Sequence, residues 1–403
     1  MPGSRWLQAL AATAFIACVG AGSQDRRGEV VVRDSAGVRI IDNGPLPPLD
    51  SAQLLVPAIR IGVSEGPAEY QLFRVSDAKR LGDGAIAVTN SGTRELRIYE
   101  SDGTHRATAG GAGPGPGEFR YPSALVILPG DTIQVQDFLD RVSFASDGEF
   151  LHRETGDRQV FNDLLLAAGG FSEGGAWLAD GTYFAPVYEL NRAPPRPGPL
   201  FRPPMTFTRM SRDFSALDTL GQFGGILQQY VDVGGQRGVS AFVPPFATNT
   251  SWALASADGS IIAGDNASPQ IDRFHPDGTH AIVRWSAQAL PVTAQEVEEW
   301  KDRQRNASWA QSQLPALERA WVTMDIPETK PYYGRVRAGS DGTLWVMSDD
   351  LGQGPTMVFS PDGHFERSVR FPGQFTVYDS GPGWVLGVLR DENEVEYVQL
   401  YEL

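Results

Sequence analysis

An Asp-Gly turn set between apolar strands returns again and again along this 403-residue chain. The strings AIAVTN, ELRIYE, SDG and THRATAG follow one another across residues 85–110. The same order recurs as TIQVQD, RVSFA, SDG, EFLHRE from residue 132, as SIIAGDN, QIDRF, HPDG, THAIVRW from residue 260, and as TLWVMSDD, TMVF, SPDG, HFERSVRF from residue 343. A looser copy starts at ADGTYFAPVYE (179–189) and resumes at MTFTRMSRDFSALDTLG (205–221), where Ser211 to Phe214 stand in for the Asp-Gly turn. A tight hairpin turn needs positive φ, which Asp-Gly supplies at little steric cost. A second turn opens each unit, at residues 81–84, 129–131, 179–181, 257–259 and 340–342, with a short strand before it. Each unit therefore reads as a four-stranded antiparallel meander, a to d from the inside out. Such a sheet cannot bury both faces alone, and radial stacking of several is the arrangement that does so.

Five units fit between Phe73 and Phe371. The C-terminus adds FTVYD, GWVLGVLRD and VEYVQLYEL, three strands lacking a fourth, while LLVPAIRIGV (54–63) is a strand lacking a blade. The expected fold is thus all-β: a six-bladed β-propeller over residues 54–403, its ring closed by an N-terminal strand. VVVRDSAGVRIIDN (30–43), within a spacer-and-hairpin segment 18–53, is expected to pack outside the ring. Residues 288–330 form an insertion between blades 4 and 5 with a helix expected near 293–320. Thr293 and Glu296 have capping-box spacing there, and Val297, Trp300, Gln304 and Ala307 share one side. This insertion, with Trp309 and Trp321, reads as a buttress between blades, a lid over the channel mouth being the alternative.

These motifs resemble bacterial six-bladed β-propellers related to the NHL-repeat group. The resemblance rests on the Asp-Gly turns, on GGAGPGPGEF (110–119) and on VQDFLDRVSF (135–144), which is similar to the Asp-then-Arg-then-aliphatic pattern of NHL blades. It implies architecture rather than activity, since one propeller hosts unrelated functions.

Residues 1–17 read as a signal peptide: Arg5 precedes the short apolar run WLQALAATAFIA (6–17). FIAC (15–18) resembles a lipobox, making Cys18 a candidate for lipidation; cleavage after Ala21 would instead discard it. The expected location is outside the cytoplasm, as a periplasmic or outer-membrane-anchored lipoprotein or as a secreted protein. A lone cysteine allows no internal disulfide. With 34 Lys and Arg against 49 Asp and Glu, the formal charge of −15 repels polyphosphate, so nucleic acid is not an expected partner. The expected partners are a small molecule or an envelope protein, and a monomer is expected.

Meander geometry places the a–b and c–d turns on one face and the b–c and d–a connections on the other. The long connections all fall on the second face: 110–122, 189–204, 224–250 and 288–335. Long loops on a rigid scaffold commonly carry function. Arg74, Arg120, Tyr121, Tyr332, Tyr333 and Arg335 stand where d–a loops enter inner strands, and their planar donors and rings suit an anionic or sugar-like ligand. Asn90, Asp137, Asp265 and Asn266 end b strands, as do Asp349 and Asp350. Converging, such oxygens would hold Ca²⁺ as in gluconolactonase-type hydrolases, the alternative reading; recurring in every blade, they fit turn-capping better. Glu118 in GPGEF, matching Glu69 in GPAEY, reads as a loop pin. The five histidines map to outer strands or c–d turns, so a histidine-based catalytic set is not expected in the channel. The sequence favours a binding or scaffold module over an enzyme.

Overall fold

The computed structural model describes residues 30–49, 53–178, 180–190, 195–234, 238–307, 313–348 and 354–403. The proposed signal peptide, Cys18, Trp309, Asp349 and Asp350 lie outside the described residues. The described residues open with a hairpin, β1 (Val31–Ser35) and β2 (Val38–Pro45), followed by β3 (Gln53–Leu54) and β4 (Pro57–Ile61). Blade 1 is β5 (Val75–Arg80), β6 (Ile86–Asn90), β7 (Glu95–Tyr99) and β8 (His105–Gly110). Blade 2 is β9 (Pro122–Leu128), β10 (Thr132–Asp137), β11 (Asp140–Phe144) and β12 (Phe150–Glu154), and helix α1 (Arg158–Ala167) follows it. Blade 3 holds β13 (Gly170–Phe171), β14 (Ala176–Trp177), β15 (Tyr183–Glu189), β16 (Pro204–Met210) and β17 (Leu217–Gly224).

A hairpin, β18 (Gln229–Asp232) and β19 (Val239–Phe242), leads to blade 4: β20 (Thr250–Ala255), β21 (Ser260–Asp265), β22 (Gln270–Phe274) and β23 (His280–Ser286). Helices α2 (Ala294–Asn306) and α3 (Leu314–Thr323) precede blade 5: β24 (Arg335–Ala338), β25 (Leu344–Met347), β26 (Thr356–Phe359) and β27 (Phe365–Arg370). Blade 6 is β28 (Gln374–Gly381), β29 (Trp384–Arg390), β30 (Glu396–Glu402) and, as its outermost strand, β4. The chain folds as a six-bladed β-propeller.

Burial explains the strand composition. The second strands lie between neighbours on both faces, and they read as apolar runs: Ile86–Asn90 and Leu344–Met347 are buried along their whole length. Outer strands meet solvent and mix charge with apolar residues, as in FERSVR of β27. The recurring turns work as their chemistry requires. The Asp102 carboxylate accepts the Thr104 N–H at 2.9 Å and Asp277 accepts that of Thr279 at 2.9 Å, while Gly103 and Gly278 take φ of 86° and 84°.

The closing strand is shorter than the apolar run 54–63. β4 pairs antiparallel with β30, Ile61 opposite Val398 and Ile59 opposite Leu400. The preceding β3 instead lies parallel to β27 of blade 5, and β2 lies parallel to β23 of blade 4. The N-terminal segment therefore lines the outer edges of blades 4, 5 and 6 in turn. Asn43 fastens it between two of them, its amide donating to the Arg284 and Gly363 carbonyls at 3.3 and 3.0 Å and its oxygen accepting the Phe365 N–H at 2.7 Å. The inner strand of blade 3 is also broken: β13 and β14 pair opposite ends of β15, and residues 172–175 bow out between them.

The insertion after blade 4 is helical as its capping box requires: Thr293 Oγ1 accepts the Glu296 N–H at 3.3 Å, and Glu296 accepts the Thr293 N–H at 3.0 Å. Trp300 of α2 and Trp321 of α3 meet edge-on at 5.8 Å. Around them Ala316, Ala320 and Met324 pack on Val231 and Val233, so the helices and the β18–β19 hairpin share one satellite core. Gln229 clamps the two pieces, donating to Asp325 Oδ2 at 3.0 Å and accepting the Asp325 N–H at 2.7 Å.

Candidate functional site: the central channel

A strand at the centre of a radial sheet pairs on one side only, so its inward N–H and C=O groups need other partners. Side chains from the adjoining blade supply them. Asp77 of β5 accepts the Leu125 N–H of blade 2 at 2.8 Å, and Gln136 accepts the Trp177 N–H of blade 3 at 3.2 Å. Ser251 accepts the Val336 N–H of blade 5 at 3.1 Å. Asp379 of blade 6 accepts from Ser340 at 2.9 Å and from the Arg80 N–H of blade 1 at 3.2 Å. Glu396 accepts the Val75 N–H at 2.7 Å.

Inside this stitched wall runs a cavity of about 1330 Å³ lined by the inner strands of all six blades. At the start of those strands, on the long-loop face, its wall includes Tyr121, Glu173, Tyr188, Asn266 and Arg335. Tyr183 and Tyr188 of the second strand of blade 3 line the cavity as well, as do Gln136, Met347 and Val388 of other second strands. No residue of α2, α3, β18 or β19 lines it. The helical insertion packs on the β18–β19 hairpin, and its described residues contribute nothing to the channel wall.

The wall joining blades 5, 6 and 1 carries a concentrated set of polar groups. Lys79 Nζ donates to the Tyr378 carbonyl at 2.7 Å and stands 3.7 Å from the fully buried Asp379. Tyr378 donates its hydroxyl to the Val75 carbonyl at 3.0 Å, and burial pushes its pKa up to about 12. Burial opposes charge on Lys79, yet Asp379 and Asp77 outweigh it and hold the ammonium above its ordinary range. Burial pushes the Asp77 carboxyl up to about 6 against the pull of Lys79 and of the Leu125 and Ala78 N–H groups. Arg337 also lines the cavity, its nearest polar partner the carbonyl of Val336 at 3.3 Å. Burial and then the Arg335 charge press its pKa below the usual guanidinium value.

The raised Asp77 pKa has a measurable consequence. An acid with a higher pKa folded than unfolded binds its proton more tightly when folded. The stability it contributes is full below about 3.8 and is lost as pH rises through about 6. Two pH units correspond to roughly 3 kcal/mol. Urea denaturation at pH 4.5 and 7.5 should show the wild type losing more stability across that interval than Asp77→Asn; equal losses in both would count against this assignment.

Tyr121 and Arg335 both line the cavity at its mouth, and Tyr121 is 66% exposed. The other four candidate binding residues stand elsewhere. Arg74 lies over the Phe73 ring at 5.2 Å, and Arg120 offers its backbone N–H to Asp137 at 3.0 Å. Tyr332 packs against the core of blades 4 and 5, while the buried Tyr333 donates its hydroxyl to the Gln270 carbonyl at 2.8 Å. The candidate oxygen ligands are spread around the ring and occupied by the chain itself. Asn90 accepts the Phe73 N–H at 2.7 Å, Asp137 that of Tyr121 at 2.5 Å and Asn266 that of Asn249 at 2.7 Å, one device repeated at three entries to inner strands. Asp265 binds Arg202 at 2.8 Å. Of these four only Asn266 lines the cavity, and among the described residues no three His, Cys, Asp or Glu side chains gather as a metal site. Glu118 accepts the Gly115 N–H at 2.8 Å and so pins its own loop. The histidines sit outside the channel, His280 against Asp272 at 2.8 Å and His275 against Ser260 at 3.0 Å.

No family model matches the chain, and no curated protein matches it. Solved structures are similar in fold. One is a Bacteroides fragilis protein classed as exported, 11% identical over 90% of this chain and 98% of that one, with a TM-score of 0.48. Another is the calcium-binding protein regucalcin of Agrobacterium tumefaciens, 12% identical over 87% and 97% of the two chains, TM-score 0.41. A third is a gluconolactonase of Xanthomonas campestris, 11% identical over 86% and 99%, TM-score 0.40.

Sequence reasoning missed Asp77, Lys79, Arg337, Tyr378 and Asp379. All five lie on inner strands whose positions the repeat did mark, as VSDAKR, RVRA and QFTVYDSG. The available signal was charge inside a short strand otherwise destined for the axis of the ring.

Proposed function

We propose that this protein is an exported, non-catalytic binding propeller that takes a small polar ligand into its central channel from the long-loop face. The observation that carries the reading is the cavity of about 1330 Å³, walled by all six blades and furnished with polar side chains that converge from blades 5, 6 and 1. Sites of this kind pair a rigid concave wall with a few fixed polar groups. Tyr121, Glu173, Tyr188 and Arg335 at the long-loop end of the wall favour entry from that face. A thermal-shift screen of polar metabolites should find compounds that raise the melting temperature of the wild type but not of Thr376→Trp, which places an indole in the channel. Hits that stabilise both proteins equally would remove the channel from the account.

Export and anchoring rest on the N-terminal sequence: the apolar run 6–17 and Cys18 in FIAC support a lipidated envelope protein. No helix among the described residues is long and apolar enough to cross a membrane. Cys18→Ala should move the protein from the membrane fraction to the soluble one; an unchanged distribution would rule out the anchor.

A further inference from the structure

We infer that the channel recognises an organic oxyanion, a carboxylate or phosphate on a sugar-sized body, through Arg337 with Arg335 beside it. The inference deepens the channel-binding reading and rests on it. Both arginines belong to β24 and both line the cavity. Two residues apart on one strand, their Cα atoms lie roughly 6–7 Å from each other on the same side of the sheet.

Among the described residues neither guanidinium has a carboxylate within ion-pair distance, although the chain carries 49 acidic residues and Lys79, Arg390 and Glu396, which line the same cavity, are paired. Lys79 shows the contrast, for it sits one blade away with Asp379 at 3.7 Å. Arg337 has a hydrogen bond only to the carbonyl of its own neighbour, Val336. Arg335 is exposed at the mouth and Arg337 is half-buried, so the pair costs free energy through the partial desolvation of Arg337 and the repulsion of two like charges on one strand. Burial and then the Arg335 charge disfavour the charged state of Arg337, and Tyr378 and Asp77 offset them only in part. An anion entering from the mouth would relieve both terms at once. A planar guanidinium meets a carboxylate or phosphate with two parallel N–H donors. The wall around the pair supplies rings and apolar surface, from Tyr378 and Phe375 to Trp252, which suits an organic body rather than a bare inorganic ion.

The test is calorimetric titration of the folded mature protein with glucuronate, glucose 6-phosphate and glucose. At least one of the two anions should bind, glucose should bind at least tenfold more weakly, and Arg337→Gln should lose at least tenfold in affinity for the anion. Arg337→Lys, which keeps the charge but not the fork, should fall between them; it also serves if the glutamine variant does not fold. Glucose binding that Thr376→Trp blocks and Arg337→Gln leaves unchanged would overturn the oxyanion site while keeping the channel. Failure of both anions to bind at millimolar concentration, or binding within twofold of wild type in both Arg337 variants, would overturn it as well.

Discussion

Deletion of residues 30–62 is expected to abolish cooperative unfolding of the propeller. The deletion takes away the outermost strand of blade 6, and with it the register of Ile61, Arg60 and Ile59 against Val398, Gln399 and Leu400. β30 would then present an unpaired edge. Ile61 is buried in the core shared by blades 6 and 1, and Leu55 is buried among Trp345, Phe371 and Tyr401 of blades 5 and 6. Each such side chain is worth about 1.5–3 kcal/mol of transfer free energy. Together with the lost ladder, that rivals the ~5–15 kcal/mol that holds a typical domain together. Urea unfolding followed by tryptophan fluorescence should show a broad, non-cooperative change. The single variant Ile61→Asp should cost at least about 4 kcal/mol, because it buries an unpaired carboxylate. A deletion protein that melts sharply within a few degrees of the full chain would mean that the ring does not depend on its closing strand.

Asp379→Ala should produce the largest loss of any single substitution in the channel wall. This buried carboxylate accepts the Ser340 N–H at 2.9 Å, the Ser340 hydroxyl at 2.5 Å, the Ser380 N–H at 3.0 Å and the Arg80 N–H at 3.2 Å. Lys79 stands 3.7 Å away. Alanine would leave donors from three blades without their acceptor and the Lys79 ammonium without its neighbouring carboxylate. Removing one partner from a buried charged network costs roughly 3–5 kcal/mol. Asp379→Asn keeps one acceptor oxygen and should recover part of the loss. A cost below 1 kcal/mol in denaturant titration would show that water or backbone rearrangement replaces the carboxylate.

The architecture was legible because a blade is a local object. Its a–b and c–d turns are short and their Asp and Gly are readable in order, so the repeat exposes five blades and leaves one strand at the N-terminal end and three at the C-terminal end to be matched. Asn90, Asp137 and Asn266 were legible for the same reason, their recurrence marking them as parts of the framework. The polar set of the channel was not. Asp77 and Asp379 serve N–H groups of other blades, and nothing near them in sequence announces those partners. A charged residue in VSDAKR reads as the wet side of an alternating strand, whereas at the ring's axis it is buried. The break in the inner strand of blade 3 escaped for a related reason: Gly174 and Gly175 read as an ordinary loop, and only the pairing of β13 and β14 with the same neighbour reveals a strand interrupted.

The segment that lies along blades 4, 5 and 6 also sets the order of assembly. It precedes every blade in the sequence, and each of its partners lies in the second half of the chain, the last of them in β30. β2 can dock on β23 and β3 on β27 before the last strand exists, but β4 has no partner until β30 is made, and until then the hoop stays open. Such distant pairing slows folding, since the entropy of closing the whole loop must be met before the contact rewards it.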